Sequence, residues 1–242
     1  MKLLLLSDIH GNKKALEAVL KKAEEYPGIE ACVLLGDIID YGMHSNEVIE
    51  MVRRCPYPVV CSLYGNHEAA VVHQDYGRFS SARGRESAMY TRSILNDASW
   101  DYIRHEMTPS GMAVFECGGR NCLAVHGSLE DAYWKSIGFQ KDMEAYGKFD
   151  YVFSGHSHIP HFVEKYTACG DARRRNKKKT VFLNPGSVGQ PRNLNPMAQF
   201  AVLSVEEEKI WFEKAAYDIA GEQSSYGGQV DDFYRERLEW GI

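Results

Sequence analysis

Residues 1–26, MKLLLLSDIHGNKKALEAVLKKAEEY, join a short apolar run to a segment with Ala15, Leu16, Val19, Leu20 and Ala23 on one helical face and lysines and glutamates on the other. The change of pattern reads as a strand followed by an amphipathic helix. The same unit recurs outward along the chain. ACVLLGD (31–37) reads as a second strand, SNEVIEMVRRC (45–55) as a helix capped by Ser45 or Asn46, and YPVVCSLYG (57–65) as a third strand. A β-α-β-α-β rhythm implies parallel strands covered by helices, so the fold class is α/β.

From about Glu68 to Met107 the pattern predicts helix, with Trp100, Tyr102 and Ile103 packing inward and FSSARGRES (79–87) as a loop. The texture then changes. MAVFECGGRNCLAVHGS (112–128) reads as two strands about a Gly-Gly turn, and YVFSGHSH (151–158), HFVEKYT (161–167), TVFLNPGS (180–187) and QFAVLSVEEEKIWFEKAAY (199–217) as further strands. The tail 218–242 is weakly patterned, with a short closing helix expected over DDFYRERLEW (231–240). No repeat or linker divides the halves, so the expectation is one domain over 1–242, built from two stacked sheets with the helical segment 68–107 beside the active site.

The 242 residues are 44% hydrophobic and 25% charged, ordinary values for a globular chain. A formal net charge of −5 supplies no global attraction to nucleic acid or anionic membrane, and neither is expected as a partner. Within DARRRNKKK (171–179), the basic segment 173–179 reads as a solvated charge cluster, with a nucleotide or nucleic-acid contact as the minority reading. The opening leucines meet Asp8 and His10 before a signal-peptide core could form, and no run approaches the roughly 18 apolar residues of a membrane span. A cytoplasmic protein is expected. Its six cysteines lack C-x-x-C spacing and several lie in apolar runs, so they are expected to be reduced and buried.

Polar residues cluster where the apolar runs end: Asp8 and His10 in SDIH, Asp37 and Asp40 in GDIID, Asn66 and His67 in YGNHE, His126 in AVHGS, His156 and His158 in SGHSH. Open α/β sheets place ligands outside the carboxyl ends of their strands. Imidazole nitrogens with carboxylate and amide oxygens, and no thiolate, suit divalent ions such as Mn, Fe, Zn, Ni or Co. Seven groups (Asp8, His10, Asp37, Asn66, His126, His156, His158) exceed the needs of one ion and can furnish two if a carboxylate bridges them. A phosphoryl group, being anionic, is the natural guest of such a centre.

The ordered series D-x-H, G-D-x-x-D, G-N-H-E, H-G, G-H-x-H between Asp8 and His158 resembles the calcineurin-like metallophosphoesterase superfamily. GDIIDYG, SNEVIEMV, VHGSLEDAYW and NPGSVGQPRN resemble further motifs of its bacterial YfcE-like branch, out to about Asn193. The resemblance implies a four-layer αββα sandwich of two stacked mixed sheets flanked by helices. It assigns Asp8, His10, Asp37 and His158 to one metal and Asp37, Asn66, His126 and His156 to the other, with Mn foremost. Asp37 bridges, and a metal-held hydroxide attacks phosphorus. His67 is then not a ligand but the acidic or electrostatic group near the leaving oxygen, with Asp40 orienting it. The glycine of YGNHE lets the chain turn, and Glu68 is a first-turn helix residue.

Protein Ser/Thr phosphatases, an alternative reading, carry arginines where Tyr41 and Tyr64 stand here, and a tyrosine cannot replace a guanidinium fork. Tyr41 and Tyr64 are therefore expected to offer aromatic faces to the substrate of a small-molecule or nucleotide phosphoesterase. Arg192 is a third substrate contact, with Asn184 near the site, and Arg83, Arg85, Tyr90 and Arg92 would wall off a second ester group. A non-catalytic scaffold of the same fold is disfavoured by the complete ligand set.

Overall fold

In the computed structural model, which describes residues 1–140 and 143–242, the opening leucines alternate along β1 (Lys2–Leu6). Leu3 and Leu5 enter one core and Leu4 and Leu6 another, and all four are buried. A strand covered on both faces has no solvent side, which is why the run carries no polar residue. Full burial of each such leucine contributes about 1.5–3 kcal/mol.

Strands β2 (Ile29–Leu34) and β3 (Val59–Ser62) join β1 in parallel, connected by α1 (Lys13–Ala23) and α2 (Ser45–Arg53). The antiparallel β9 (Ala198–Ser204) and β10 (Lys209–Ala215) complete a sheet of order β10-β9-β1-β2-β3. The second sheet contains β4 (Met112–Cys117), β5 (Arg120–Val125), β6 (Tyr151–Ser154), β7 (His161–Ala168) and β8 (Lys177–Asn184), in the order β4-β5-β6-β8-β7. β5, β6 and β8 run parallel while the two edge strands run antiparallel to their neighbours.

Leu3, Leu5 and Val33 of the first sheet pack with Ala124, Phe153 and Leu183 of the second, so the sheets share one core. The far side of the first sheet takes Leu16, Val19, Val48 and Ile49 from the helices. The far side of the second is covered by Tyr146 and Phe149, around a single 3-10 turn at Glu144–Tyr146. The expected class of two mixed sheets with helical cover is thus what the residues build.

Local details differ from the reading of the sequence. The segment after Glu68 forms α3 (Asn66–His73), α4 (Ala82–Ile94) and α5 (Asp97–His105), and α4 already begins within FSSARGRES, where Ser81 Oγ accepts from Gly84 N at 3.2 Å. Neither Ser45 nor Asn46 caps α2. Ser45 is its first residue and accepts from Asp40 N at 3.1 Å, while Asn46 Oδ1 accepts from Asn96 N and Ser99 Oγ, so tertiary partners outcompeted the cap. All six cysteines are free, with Cys55 and Cys169 only half-buried. Among the described residues no helix is long and apolar enough to cross a membrane. Within the basic segment, Lys178 pairs with Asp150 and Lys179 with Glu164 and Glu208. The tail forms α6 (Ile219–Gln223), α7 (Phe233–Glu236) and a 3-10 turn at Arg237–Glu239.

Candidate metal centre

The parallel strands β1, β2, β3, β5 and β6 release their polar residues at one edge of the stacked sheets. The backbone there is unusual. Of the twelve non-glycine residues with positive φ among those described, seven belong to this edge: Asp8, His10, Asp37, Asp40, Tyr41, His156 and His158. A left-handed conformation costs an ordinary residue of order 1–2 kcal/mol. Such strain, concentrated on acids and imidazoles, is expected where side chains are aimed at a common target.

Gly65 has a different role from the expected turn. Its φ of −95° is open to any residue, but a Cβ there would lie 2.1 Å from Asp37 Oδ1. The glycine is required by the close approach of two loops. That approach lets His67 N–H donate to Asp37 Oδ1 at 2.9 Å. Glu68 does more than begin a helix: its carboxylate accepts from Gly65 N, Asp37 N, Ile38 N and Ile39 N at 2.7–3.2 Å, fastening the β2 loop to the start of α3. Burial, then the charge of Asp37, raises Glu68 to about 7, opposed by the hydrogen bonds from Gly65 N, Ile39 N and Asp37 N.

Three histidines have their Nδ1–H committed to backbone carbonyls: His10 to Ile39 O at 3.2 Å, His126 to Leu35 O at 2.7 Å and His158 to Gln190 O at 2.5 Å. Each therefore turns Nε2 toward the centre, as carbonyl-oriented metal ligands do. Nε2 of His10 and Nε2 of His158 lie only 3.2 Å apart. Burial first, helped by neighbouring positive charges, keeps both imidazoles neutral at ordinary pH by lowering them. Two bare lone pairs facing each other call for a cation between them. Asp8 Oδ1, buried and without a hydrogen-bond partner, lies 3.2 Å from His158 Nε2. Its other oxygen accepts from Ser7 Oγ at 2.5 Å and His156 N at 3.1 Å.

Asp37 Oδ2 lies between the two ligand groups, 3.8 Å from His10 Nε2 and 3.2 Å from His126 Nε2. Burial opposes its charge, but His126 and His67 outweigh burial and hold Asp37 well below the usual carboxylate range. Conversely, Asp37 overcomes burial at His126 and raises it to about 9. Asn66 Oδ1 faces His126 Nε2 at 3.1 Å and His156 Nδ1 at 3.0 Å. Burial lowers His156 to about 4, leaving its nitrogen free to donate a lone pair. Asp8, His10, Asp37 and His158 form one set of donor atoms within 4.8 Å of one another, and Asp37, His126 and His156 a second. The orphaned Asp8 oxygen and the opposed imidazoles show that this donor set fits cations.

His67 is buried beside the centre without joining either set. Its Nδ1–H donates to Asp40 Oδ2 at 2.5 Å, since a carboxylate there can only accept. Asp40 Oδ1 accepts from Tyr41 N, Ser87 Oγ and Thr91 Oγ1 at 2.5–2.9 Å. Ser87 and Thr91 lie one turn apart on α4, a clamp that needed the tertiary fold to be seen. Burial would lower His67, but Asp37 and Asp40 together raise it.

A cleft of about 470 Å³ opens over these groups, lined by Asp37, Tyr41, Asn66, His67, His156, His158 and Arg192 and by Arg78, Phe79, Ser80 and Trp134. The last four were not anticipated. Phe79 and Trp134 meet edge to face at 5.1 Å, and Arg78 pairs with Asp131. Tyr64, in contrast, does not line the cleft: it is buried and its hydroxyl donates to Ile103 O at 2.8 Å, because its side chain leaves β3 on the face covered by α5. Asn184 supports the GHSH loop from behind, donating to Gly155 O and Ser157 Oγ. Arg85 and Arg92 donate to the carbonyls of Phe79 and Val71, Arg83 lies over Phe233, and Tyr90 packs in the cluster around Tyr41, so none of these four forms the expected wall.

The sequence model of the calcineurin-like phosphoesterase superfamily domain matches residues 1–208. A protein of Methanocaldococcus jannaschii, MJ0912, is 29% identical over 226 residues, 89% of this chain and 87% of its own. A metallophosphoesterase structure from Sphaerobacter thermophilus is 26% identical with a TM-score of 0.74, each chain covered in full. The structure of PH1004 from Pyrococcus horikoshii OT3 shares the fold at 19% identity and a TM-score of 0.81, over 100% of this chain and 98% of that one. The YfcE phosphoesterase from E. coli is also among the similar structures, at 19% identity and a TM-score of 0.49 over 90% of this chain and 100% of that one.

Proposed function

The chain belongs to the calcineurin-like phosphoesterase superfamily and is a metal-dependent phosphoesterase, and on that premise we propose that it hydrolyses phosphodiesters or related nucleotide phosphates with two divalent ions flanking Asp37. The observation that carries the dinuclear reading is the position of Asp37 Oδ2, within 4 Å of imidazoles from both donor sets. Asp8, His10, Asp37 and His158 would hold one ion, and Asp37, Asn66, His126 and His156 the other. When bound, such ions supply Lewis-acid neutralisation of phosphoryl charge and acidify water. Mn is the first metal to try, with Fe, Zn, Ni and Co as alternatives of the same donor preference.

The chain's own groups do the rest. His67, held at Nδ1 by Asp40, presents Nε2 to the cleft and donates a proton to the departing oxygen. Its raised pKa keeps that proton available near neutrality. Arg192 steers the anionic group, while Tyr41, Phe79 and Trp134 give apolar surface to an ester substituent. That surface favours a substrate with a second organic group over a phosphate monoester. The test is metal analysis of the purified protein together with a phosphoester panel. We expect up to two ions per chain, and a higher kcat/KM for bis-p-nitrophenyl phosphate than for p-nitrophenyl phosphate. One ion at saturation would remove the dinuclear reading, and a monoester preference would remove the diester one.

A further inference from the structure

His67, Phe79 and Trp134 line one cleft and follow one another along it. Phe79 meets the His67 ring edge to face with centroids 5.1 Å apart, and Trp134 meets Phe79 perpendicularly a further 5.1 Å on. The other aromatic rings of the cleft have little surface left to offer. Tyr41 is 8% exposed, with Tyr234 stacked on it at 4.2 Å, and Phe79 is 7% exposed between its two neighbours. Trp134 is half-buried, so it keeps open ring surface.

The loop after β5 holds that ring firmly. Asp131 Oδ1 accepts from Tyr133 N at 3.1 Å and Trp134 N at 3.0 Å, while Asp131 O and Ala132 O accept from Ser128 N at 3.0 Å and Gly127 N at 2.7 Å. The turn is tight enough that a Cβ at Gly127 would lie 2.6 Å from Asp131 O. Tyr133 anchors the loop further by donating its hydroxyl to Pro109 O. Arg78, from the loop that bears Phe79, donates to Asp131 Oδ2 at 2.6 Å and sets its guanidinium 5.3 Å from the Trp134 ring centroid. Its charge is thus taken up in orienting the indole. A ring fixed before binding loses little freedom when a ligand stacks on it.

We infer that Trp134 is the stacking platform for the leaving group of the substrate, and that this group is a nucleoside. The inference rests on the phosphoesterase reading and deepens it, because it assigns one of the two ester groups to one end of the cleft. His67 donates its proton to the departing oxygen, so the substituent that runs from His67 past Phe79 is the one that leaves. A nucleoside has its sugar between that oxygen and its base, and spans the width of Phe79 to reach Trp134; a methyl group does not. Base-on-indole stacking accepts any base, since every base presents a π-face. In the reaction water adds its oxygen to phosphorus, the bond from phosphorus to the nucleoside oxygen breaks, that oxygen takes the proton of His67 Nε2, and the proton lost by the water restores His67. Trp134 touches the leaving group and not the reacting phosphorus.

The experiment gives the full-length, Mn-loaded protein the mixed methyl ester of adenosine 5′-monophosphate and reads the initial products by NMR. Methyl phosphate with adenosine is expected, and adenosine 5′-monophosphate with methanol would overturn the assignment. Trp134→Leu should lower kcat/KM by about tenfold or more and let methanol depart as well; an unchanged product ratio and rate would also overturn it. Equilibrium dialysis provides a readout apart from turnover. Adenosine should bind at least about tenfold more tightly than ribose, and Trp134→Leu should erase that margin. Equal binding of the two would remove the platform. Should Trp134→Leu fail to fold, the products and the adenosine margin of the unmodified protein decide. The two readings fail separately: an adenosine margin that depends on Trp134 without turnover of any phosphoester refutes the proposed function and leaves the platform standing, whereas turnover that expels methanol removes the platform alone.

Discussion

Replacing Asp40 by Asn changes one atom and should change the reaction more than the fold. Asp40 Oδ1 accepts from Tyr41 N, Ser87 Oγ and Thr91 Oγ1, and an asparagine oxygen can keep all three. The new amide nitrogen takes the place of Oδ2, 2.5 Å from His67 Nδ1, where two N–H groups cannot face each other. His67 must therefore give up its Nδ1 proton or move. A buried hydrogen bond to a charged group is worth about 1.5–3 kcal/mol, which corresponds to about a 10–100-fold fall in kcat at 1.36 kcal/mol per decade. KM should stay within about threefold, because ground-state binding does not use His67's proton. Metal content should be unchanged. The pH profile adds a readout that a simple loss of folded protein would not give. Asp40 is, with Asp37 and Glu68, one of the charges that raise His67, so its removal lowers the folded pKa, and the limb where activity falls with rising pH should move to lower pH. The assay is hydrolysis of bis-p-nitrophenyl phosphate by Mn-loaded protein, with elemental analysis of the same samples. An unchanged kcat, or a lost metal ion, would refute the argument that Asp40 acts through His67.

Chelation followed by dialysis should abolish phosphoesterase activity and Mn should restore it. Asp37→Asn should lower occupancy at both donor sets, since each includes Asp37; atomic absorption finding one full site would contradict this. Glu68→Ala strands four backbone N–H donors that its carboxylate now receives, and at about 1–3 kcal/mol for each buried unsatisfied donor urea unfolding should show a loss of at least about 3 kcal/mol; a loss under about 1 kcal/mol would mean the loops relax freely. Glu222 is wholly buried and raised, by burial first, with Oε1 unpartnered, Lys14 N donating to Oε2, and His44 at 3.9 Å, Glu17, Tyr217 and Tyr226 around it. An acid with a raised folded pKa favours the fold below its unfolded pKa and loses that contribution as pH rises toward the folded one. The melting temperature of Glu222→Gln should therefore gain on the unmodified protein from acid to neutral pH, and a constant difference would count against it.

Much of this architecture is legible because its rules are local. The leucines of β1 alternate between two cores, and α1 shows its apolar face at the 3.6-residue period, so a sheet covered by helices follows from spacing alone. The donor residues are legible for a related reason: a strand has to end before its loop can turn polar groups toward a shared point, and each donor follows an apolar run. What spacing does not encode is direction. Tyr41 and Tyr64 both lie in the polar loops that follow neighbouring strands, yet Tyr41 adopts a φ of 63° and lines the cleft while Tyr64 turns its hydroxyl to Ile103 O. Only the three-dimensional neighbourhood distinguishes them. The start of α4 inside FSSARGRES was hidden likewise, since Gly84 and the serines argue for a loop until Ser81 is seen capping the helix.

The C-terminal segment shows the limit most sharply. α7 spans Phe233–Glu236, too short to display a period, and its anchors Tyr226, Tyr234 and Leu238 follow no repeat. Its burial is decided by Tyr41, nearly two hundred residues earlier in the chain, whose exposed ring face needs cover. Once Tyr234 provides that cover, Arg237 on the following turn is carried into the interior whether or not an acid awaits it, and none among the described residues does. Neither a helical period nor a pairing acid among the described residues foretells that burial, so the stack of Tyr234 on Tyr41 is what accounts for it.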